Sequence, residues 1–236
     1  MKSLEFSLNC VKCGYNDNVM AKYPIFLELG GRRAVIVGGG AVATQKAQAL
    51  LAAGARLVVV SKTIDDALAA LCQGTGAELI RAKYSKNYIA EAAMVIAATN
   101  DEQLNKQIYK DCQELEILCN VVDAPELCDF IVPAVVKRGD LQVAIGTEGH
   151  CPAYAGHLRK KLEQTITIQH GEFLAELEVV RKRIFKDVPN TADRKTLIGQ
   201  VADDKSFEYF LQNGPEAWRN YAQEIGQDYL SNIKTQ

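Results

Sequence analysis

Short apolar runs alternate with longer amphipathic stretches through the first half of the chain. Ala34 to Val37 and Leu57 to Val60 are continuous apolar runs. Such runs fit strands buried on both faces of a parallel sheet. Between them, apolar residues at Ala43, Ala47, Leu50 and Leu51 follow the i, i+4, i+7, i+8 pattern of a helix, which Gly54 stops. A helix over Asp65 to Cys72 is broken by Gly74 and Gly76, and Glu78 to Ala82 predicts a third strand. Tyr84 to Asn87 turns into a short helix. Met94 to Asn100 is a fourth strand ending in two polar residues, Asp101 to Cys112 a helix, and Glu116 to Val122 a fifth strand ending at Asp123. Ahead of all this, Tyr23 to Leu29 reads as a short strand or lead-in, turned by Gly30 and Gly31. Strand and helix alternating in this way predict an α/β fold with a parallel sheet.

The pattern then changes. Phe130 to Val136 and Leu141 to Ile145 are two apolar runs joined by the tight turn Lys137 to Asp140, which predicts an antiparallel hairpin. Each strand carries an apolar face that needs a partner, most simply the same hairpin of a second subunit. Gly146 to Pro152 is a polar loop, and everything after it is helical in pattern. The helices cover Ala153 to Glu163, about Ile168 to Phe185, Asn190 to Val201 and Phe207 to Leu211; Asn213 and Gly214 stop the last of these, and Pro215 starts the final helix at its first position. The expected parts are an extension over 1–22, a Rossmann-type dinucleotide-binding domain over 23–129, a dimerisation region over 130–165 and a helical domain over 166–236.

The chemistry begins at the first turn. Gly38-x-Gly40-x-x-Ala43 follows an apolar strand, opens a helix and leads to a second strand, the arrangement of a dinucleotide-binding loop. Gly38 allows the tight turn, Gly40 lets the backbone approach a pyrophosphate, and Ala43 lets helix and strand pack closely. The pyrophosphate sits on free N–H groups at the positive end of the helix. The acidic residue that would hold the adenosine ribose at the end of the second strand is absent; Ser61-Lys62-Thr63 stands there, so this position does not choose between NAD and NADP. Thr99 and Asn100, beyond the carboxyl end of the fourth strand, lie where such a sheet presents groups to a ligand, and they also suit capping of the next helix.

Composition narrows the picture. The 236 residues are 48% hydrophobic and 24% charged, with a formal net charge of −2, an ordinary globular balance that gives no reason for a nucleic-acid partner. No apolar run approaches the ~20 residues of a membrane span. The N-terminus carries an acid and lacks a long apolar core, a poor signal peptide, so the expected location is the cytoplasm. The seven cysteines are then expected as reduced thiols, mostly buried as small apolar groups. Cys10-Val-Lys-Cys13 has the spacing of a zinc knuckle, but no second pair follows, and a loosely ordered segment without metal is the expectation.

Several blocks go beyond a generic dinucleotide fold. Val35 to Ala43 with Lys46, Leu50, Leu51, Gly54 and Ala55 resembles the precorrin-2 dehydrogenase family, also called siroheme synthase. Ala97 to Asp101 and Cys119 to Glu126 are similar to its next two blocks, and Phe130 to Ala134 with Arg138 to Ile145 to its hairpin. The resemblance covers roughly residues 23 to 165. It implies oxidation of precorrin-2 to sirohydrochlorin with NAD as hydride acceptor, and in some members insertion of ferrous iron, which is then a substrate. It implies a homodimer with the active site between a Rossmann domain and a helical domain. Residue by residue it implies cofactor contacts at Gly38, Gly40, Ala41, Val42, Lys62 and Thr63, with Thr99 and Asn100 toward the nicotinamide.

The same resemblance places the family's aspartate at Asp123. A carboxylate there suits the chemistry, because hydride loss from a tetrapyrrole carbon must be matched by loss of a proton; a cap for the segment from Pro125 is the plain alternative. In the loop after the hairpin the family has serines where Thr147 and Cys151 stand, so a serine-specific modification is not expected here, whereas the Thr147 hydroxyl remains a candidate contact. His150, close by, is a candidate proton carrier near neutral pH. Precorrin-2 carries eight carboxylates, for which Arg138 and Arg159 are the leading cationic candidates, with Lys160, Lys161 and Arg181 to Arg183 behind them. Two other readings stand beside the dehydrogenase: a bifunctional dehydrogenase and ferrochelatase, and a non-catalytic NAD-sensing module. A hydroxy-acid dehydrogenase is disfavoured, since hairpin and tail leave little room for its substrate domain.

Overall fold

The apolar runs form strands where side chains must be buried on both sides. A computed structural model describes residues 22–234, and the Cys10–Cys13 knuckle lies outside the described residues. Five parallel strands, β1 (Arg33–Val37), β2 (Arg56–Ser61), β3 (Glu78–Arg81), β4 (Met94–Ala97) and β5 (Leu118–Val121), lie in the order β3-β2-β1-β4-β5. Alternate residues point to opposite faces. Ala34, Ile36, Leu57 and Val59 join Ala43, Ala47 and Leu50 of α1 (Ala41–Ala52) and Leu68 of α2 (Asp66–Cys72) in one core. Val35, Val37, Val58 and Val60 join Ile108 and Cys112 of α3 (Glu102–Glu114) in the other. This is a doubly wound α/β sheet, and the chain order reverses between β1 and β4.

Differences from the expected elements are small and local. The lead-in at Tyr23 to Leu29 forms no strand; Tyr23, Ile25 and Phe26 are exposed and only Leu29 is buried. The helix expected at Tyr84 to Asn87 is a single 3-10 turn over Lys86–Tyr88. Phe130 to Pro133 stays irregular: proline has no N–H to give a ladder. The hairpin is therefore β6 (Ala134–Arg138) against β7 (Leu141–Ile145), with Gly139 at φ 58° in the turn. Asp101, rather than Thr99 or Asn100, caps α3, its carboxylate accepting from the N–H groups of Gln103 and Leu104.

The chain divides into two units, residues 1–131 and 132–236. In the second, the hairpin packs against α4 (Pro152–Thr165) and α5 (Ile168–Asp187), while α6 (Thr191–Val201) and α7 (Asp204–Lys234) complete a helical bundle with α5. The chain leaves the helical path within α7 at Gly214 (φ 80°, ψ 175°), followed by Pro215, where the sequence marks a stop and a fresh start. The bundle closes on Trp218, fully buried against Phe173 and Phe210. The Trp218 indole N–H donates to Ser206 Oγ (2.8 Å), and that hydroxyl donates to the Val201 carbonyl (2.7 Å), so both buried polar groups are satisfied.

Gly171 fixes the crossing of α5 over the hairpin, because a Cβ there would stand 2.3 Å from the Arg138 carbonyl oxygen. Gly171→Ala forces backbone apart and should destabilise the protein by about 3 kcal/mol, at the upper end of overpacking costs. Denaturant unfolding monitored at Trp218, the chain's single tryptophan, reads this directly. A midpoint equal to wild type would contradict the packing.

Candidate functional site

The carboxyl ends of β2, β1, β4 and β5 carry, side by side, Ser61 to Thr63, Gly38 to Gly40, Ala98 to Asn100, and Val122 with Asp123. Ligands of open α/β sheets bind outside this edge, at the point of chain reversal. Here that point falls between the glycine loop on β1 and the Thr99 loop on β4.

The glycine loop is built by backbone contact. Gly38 has φ 132°, and a Cβ there would lie 2.2 Å from the Ala98 carbonyl oxygen. Gly39 would bring a Cβ within 2.0 Å of the Thr63 carbonyl oxygen, and its own carbonyl accepts from Asp65 N–H at 2.9 Å. Gly39, absent from the sequence-derived set, therefore locks the β2–α2 loop, and with it Lys62 and Thr63, beside the phosphate turn. The unbroken Gly38-Gly39-Gly40 triplet was its only sequence signal. Gly40 differs: it has φ −94°, is exposed, and its Cβ would meet only Asp65 Oδ2, at 3.9 Å. Gly40 N-caps α1 without any side-chain bond, and no acidic residue occupies the first turn. The N–H groups of Ala41, Val42 and Ala43, in that first turn, have no intrahelical acceptor. Together with the helix dipole they suit a pyrophosphate.

Across the switch point, Thr99 is held rather than loose. Its hydroxyl lies 2.7 Å from Asn105 Oδ1 and donates to it, and Asn105 Nδ2 donates back to the Thr99 carbonyl at 3.0 Å. Asn105 is buried on α3, so this pair fixes the β4 loop; nothing in the local sequence announces it. Asn100 is exposed beside it. Asp123 follows β5 in the left-handed region at φ 61°, exposed, with no hydrogen bond or ion pair among the described residues. An unpaired carboxylate on a strained turn is free to engage a ligand.

The thiols near β5 are of another kind. Cys112 and Cys119 are fully buried, and a hydrogen bond from Cys112, followed by burial, pushes the Cys119 thiol up. Burial also pushes up Cys128. Cys119 and Cys128 are therefore packing groups rather than nucleophiles. Cys151 alone among the five described cysteines is exposed.

Thr147, His150, Arg138 and Arg159 belong to the second unit. Thr147 Oγ1 accepts from Cys151 N–H at 3.4 Å and its carbonyl from His150 N–H at 2.8 Å, which shapes the loop ahead of α4. The His150 ring is exposed. Arg138 spends its guanidinium on backbone carbonyls, Nε to Ile166 (2.9 Å), Nη1 to Lys137 (3.0 Å) and Nη2 to Glu163 (3.1 Å), tying the hairpin to the α4–α5 turn. Arg159 pairs with Glu163 one helical turn on, half exposed.

Residues 25–134 match the family described as putative NAD(P)-binding. The siroheme synthase of Psychrobacter cryohalolentis is 38% identical over 186 residues, covering 79% of this chain and 36% of that protein. The siroheme synthase of Pseudomonas putida (strain W619) is 40% identical over 199 residues, covering 84% and 41%. Over these stretches the chain is similar to siroheme synthases. It spans about two-fifths of the length of the curated relatives it matches. A solved structure of SirC, precorrin-2 dehydrogenase, shares the fold over 86% of this chain and 100% of its own, with a TM-score of 0.73 at 22% identity. The match to a putative NAD(P)-binding family points to a nicotinamide dinucleotide, and the glycine loop fits one: two positions exclude any side chain, and the helix end behind them is open. Among the described residues no helix is long and apolar enough to cross a membrane.

Proposed function

We propose that the protein oxidises precorrin-2 to sirohydrochlorin with NAD, one step in making siroheme. The observation that carries this reading is the unpaired carboxylate of Asp123 on the same sheet edge as the glycine loop, in a chain similar to siroheme synthases along most of its length. NAD supplies the acceptor for a hydride leaving the substrate. The chain supplies the rest. The first-turn N–H groups at Ala41 and Val42 receive the pyrophosphate, with Lys62 and Thr63 toward the adenosine side. Thr99, clamped by Asn105, and Asn100 border the nicotinamide. Asp123 accepts the proton that must leave as the substrate loses its hydride, so two electrons and two protons are accounted for.

Thr147 and His150 are the second unit's candidates for substrate contact. For Arg159 to grip a substrate carboxylate it must exchange Glu163 for that carboxylate; Arg138 contributes chiefly by holding the hairpin. We further propose that 23–129, 130–165 and 166–236 act as cofactor, dimerisation and helical regions of a cytoplasmic homodimer, the hairpin edges supplying the contact.

The test is anaerobic incubation of the purified chain with precorrin-2 and NAD, followed by ferrous iron. Sirohydrochlorin in the first stage supports the dehydrogenase. Siroheme forming faster than in an enzyme-free control in the second adds the chelatase. NAD binding without any product would put the NAD-sensing reading first.

A further inference from the structure

Another charged site lies at the opposite end of the same sheet. An open cavity of about 560 Å³ is lined by Arg32, Arg33 and Arg56, with the Ala90–Ala93 and Leu115–Ile117 turns as its walls. These residues sit at the amino ends of β1, β2, β4 and β5, the full length of the strands away from the glycine loop.

Two observations mark the cavity as more than a basic surface. Arg33 and Arg56 are register partners on adjacent parallel strands. They share a face, the one occupied further along by Val35, Val37, Val58 and Val60. Like charges side by side on neighbouring strands repel, and among the described residues no ion pair within 4.0 Å joins Arg32, Arg33 or Arg56 to a carboxylate. In addition, the Arg33 guanidinium is partly buried. One terminal nitrogen donates to the Tyr88 carbonyl at 2.8 Å, while its Nε is a buried donor without a partner. Holding a charge on a partly buried guanidinium is costly, and an anion beside it offsets part of that cost. Glu91 and Glu116 also line the cavity, so three positive and two negative groups leave a single net positive charge. That balance suits a small anion rather than a polyanion.

We propose that this cavity binds a small metabolite through a carboxylate or phosphate group, gripped by Arg32, Arg33 and Arg56. Planar guanidinium forks match either oxyanion. The site is separate from the dinucleotide loop and does not depend on the chemistry proposed there.

The test titrates the full chain with inorganic phosphate and, separately, with succinate, by calorimetry at low salt. Wild type, Arg56→Gln, Arg32→Gln and Lys62→Gln are compared, each first shown to be folded by circular dichroism. The expected result is saturable binding that weakens about tenfold or more in either arginine variant, as for loss of one charged pair, and is unchanged in Lys62→Gln. Tighter phosphate binding would assign a phosphorylated metabolite and tighter succinate binding a carboxylate. Absence of saturable binding by both anions, or loss only in Lys62→Gln, would overturn the proposal.

Discussion

Asp123→Asn should reduce turnover by about 100- to 10,000-fold, the range set by removing a positioned general base, while leaving the fold and NAD affinity intact. The substitution is well suited to the position. Asp123 sits at φ 61°, a conformation that asparagine adopts about as readily as aspartate. The side chain makes no described bond whose loss would loosen the turn, so stability should hold within about 0.5 kcal/mol, the usual range for surface changes. Single-turnover kinetics at saturating NAD, with the unfolding midpoint measured alongside, separate the two effects. Retained activity with an unchanged midpoint would remove Asp123 from the chemistry and favour the NAD-sensing reading. A lowered midpoint would instead show a cap whose loss unsettles the segment from Pro125.

The glycine loop should divide into structural and ligand-facing positions. Gly39→Ala places a methyl group 2.0 Å from the Thr63 carbonyl oxygen and 3.0 Å from Ile64 Cα. Since both are backbone, the β2–α2 loop must move. A cost of about 3 kcal/mol follows, lowering the unfolding midpoint by about 10 °C and abolishing measurable NAD binding. Gly40→Ala meets only a carboxylate tip at 3.9 Å and needs no unusual φ. It should fold like wild type yet weaken NAD by about tenfold or more, because its methyl group stands where the pyrophosphate approaches the backbone. Thermal unfolding and calorimetric NAD titration of the two variants test this; equal stability loss in both would contradict the division.

The sheet and its glycine turn were legible in the sequence because parallel strands demand apolar side chains on both faces, and Ala34–Val37, Leu57–Val60 and Met94–Ala97 supply them without interruption. Gly214 and Pro215 likewise marked the break in α7, since each has a backbone preference of its own. What escaped were contacts between segments far apart in the chain. Gly39 matters through Thr63, Gly171 through Arg138, and Thr99 through Asn105, and no local pattern records such partners. Arg138 shows the reverse: a cation placed by family resemblance beside a carboxylate-rich substrate turns out to hold three backbone carbonyls. The Arg33–Arg56 pair became visible only once the register of β1 on β2 was fixed.

The stoichiometry of one anaerobic turnover tests the hydride transfer itself: NADH formed against sirohydrochlorin formed, from precorrin-2 and the purified chain. One NADH per sirohydrochlorin is expected, and no product above the enzyme-free rate when NAD is left out. Sirohydrochlorin appearing at the same rate without NAD, or no NADH from protein shown to bind NAD, would contradict it.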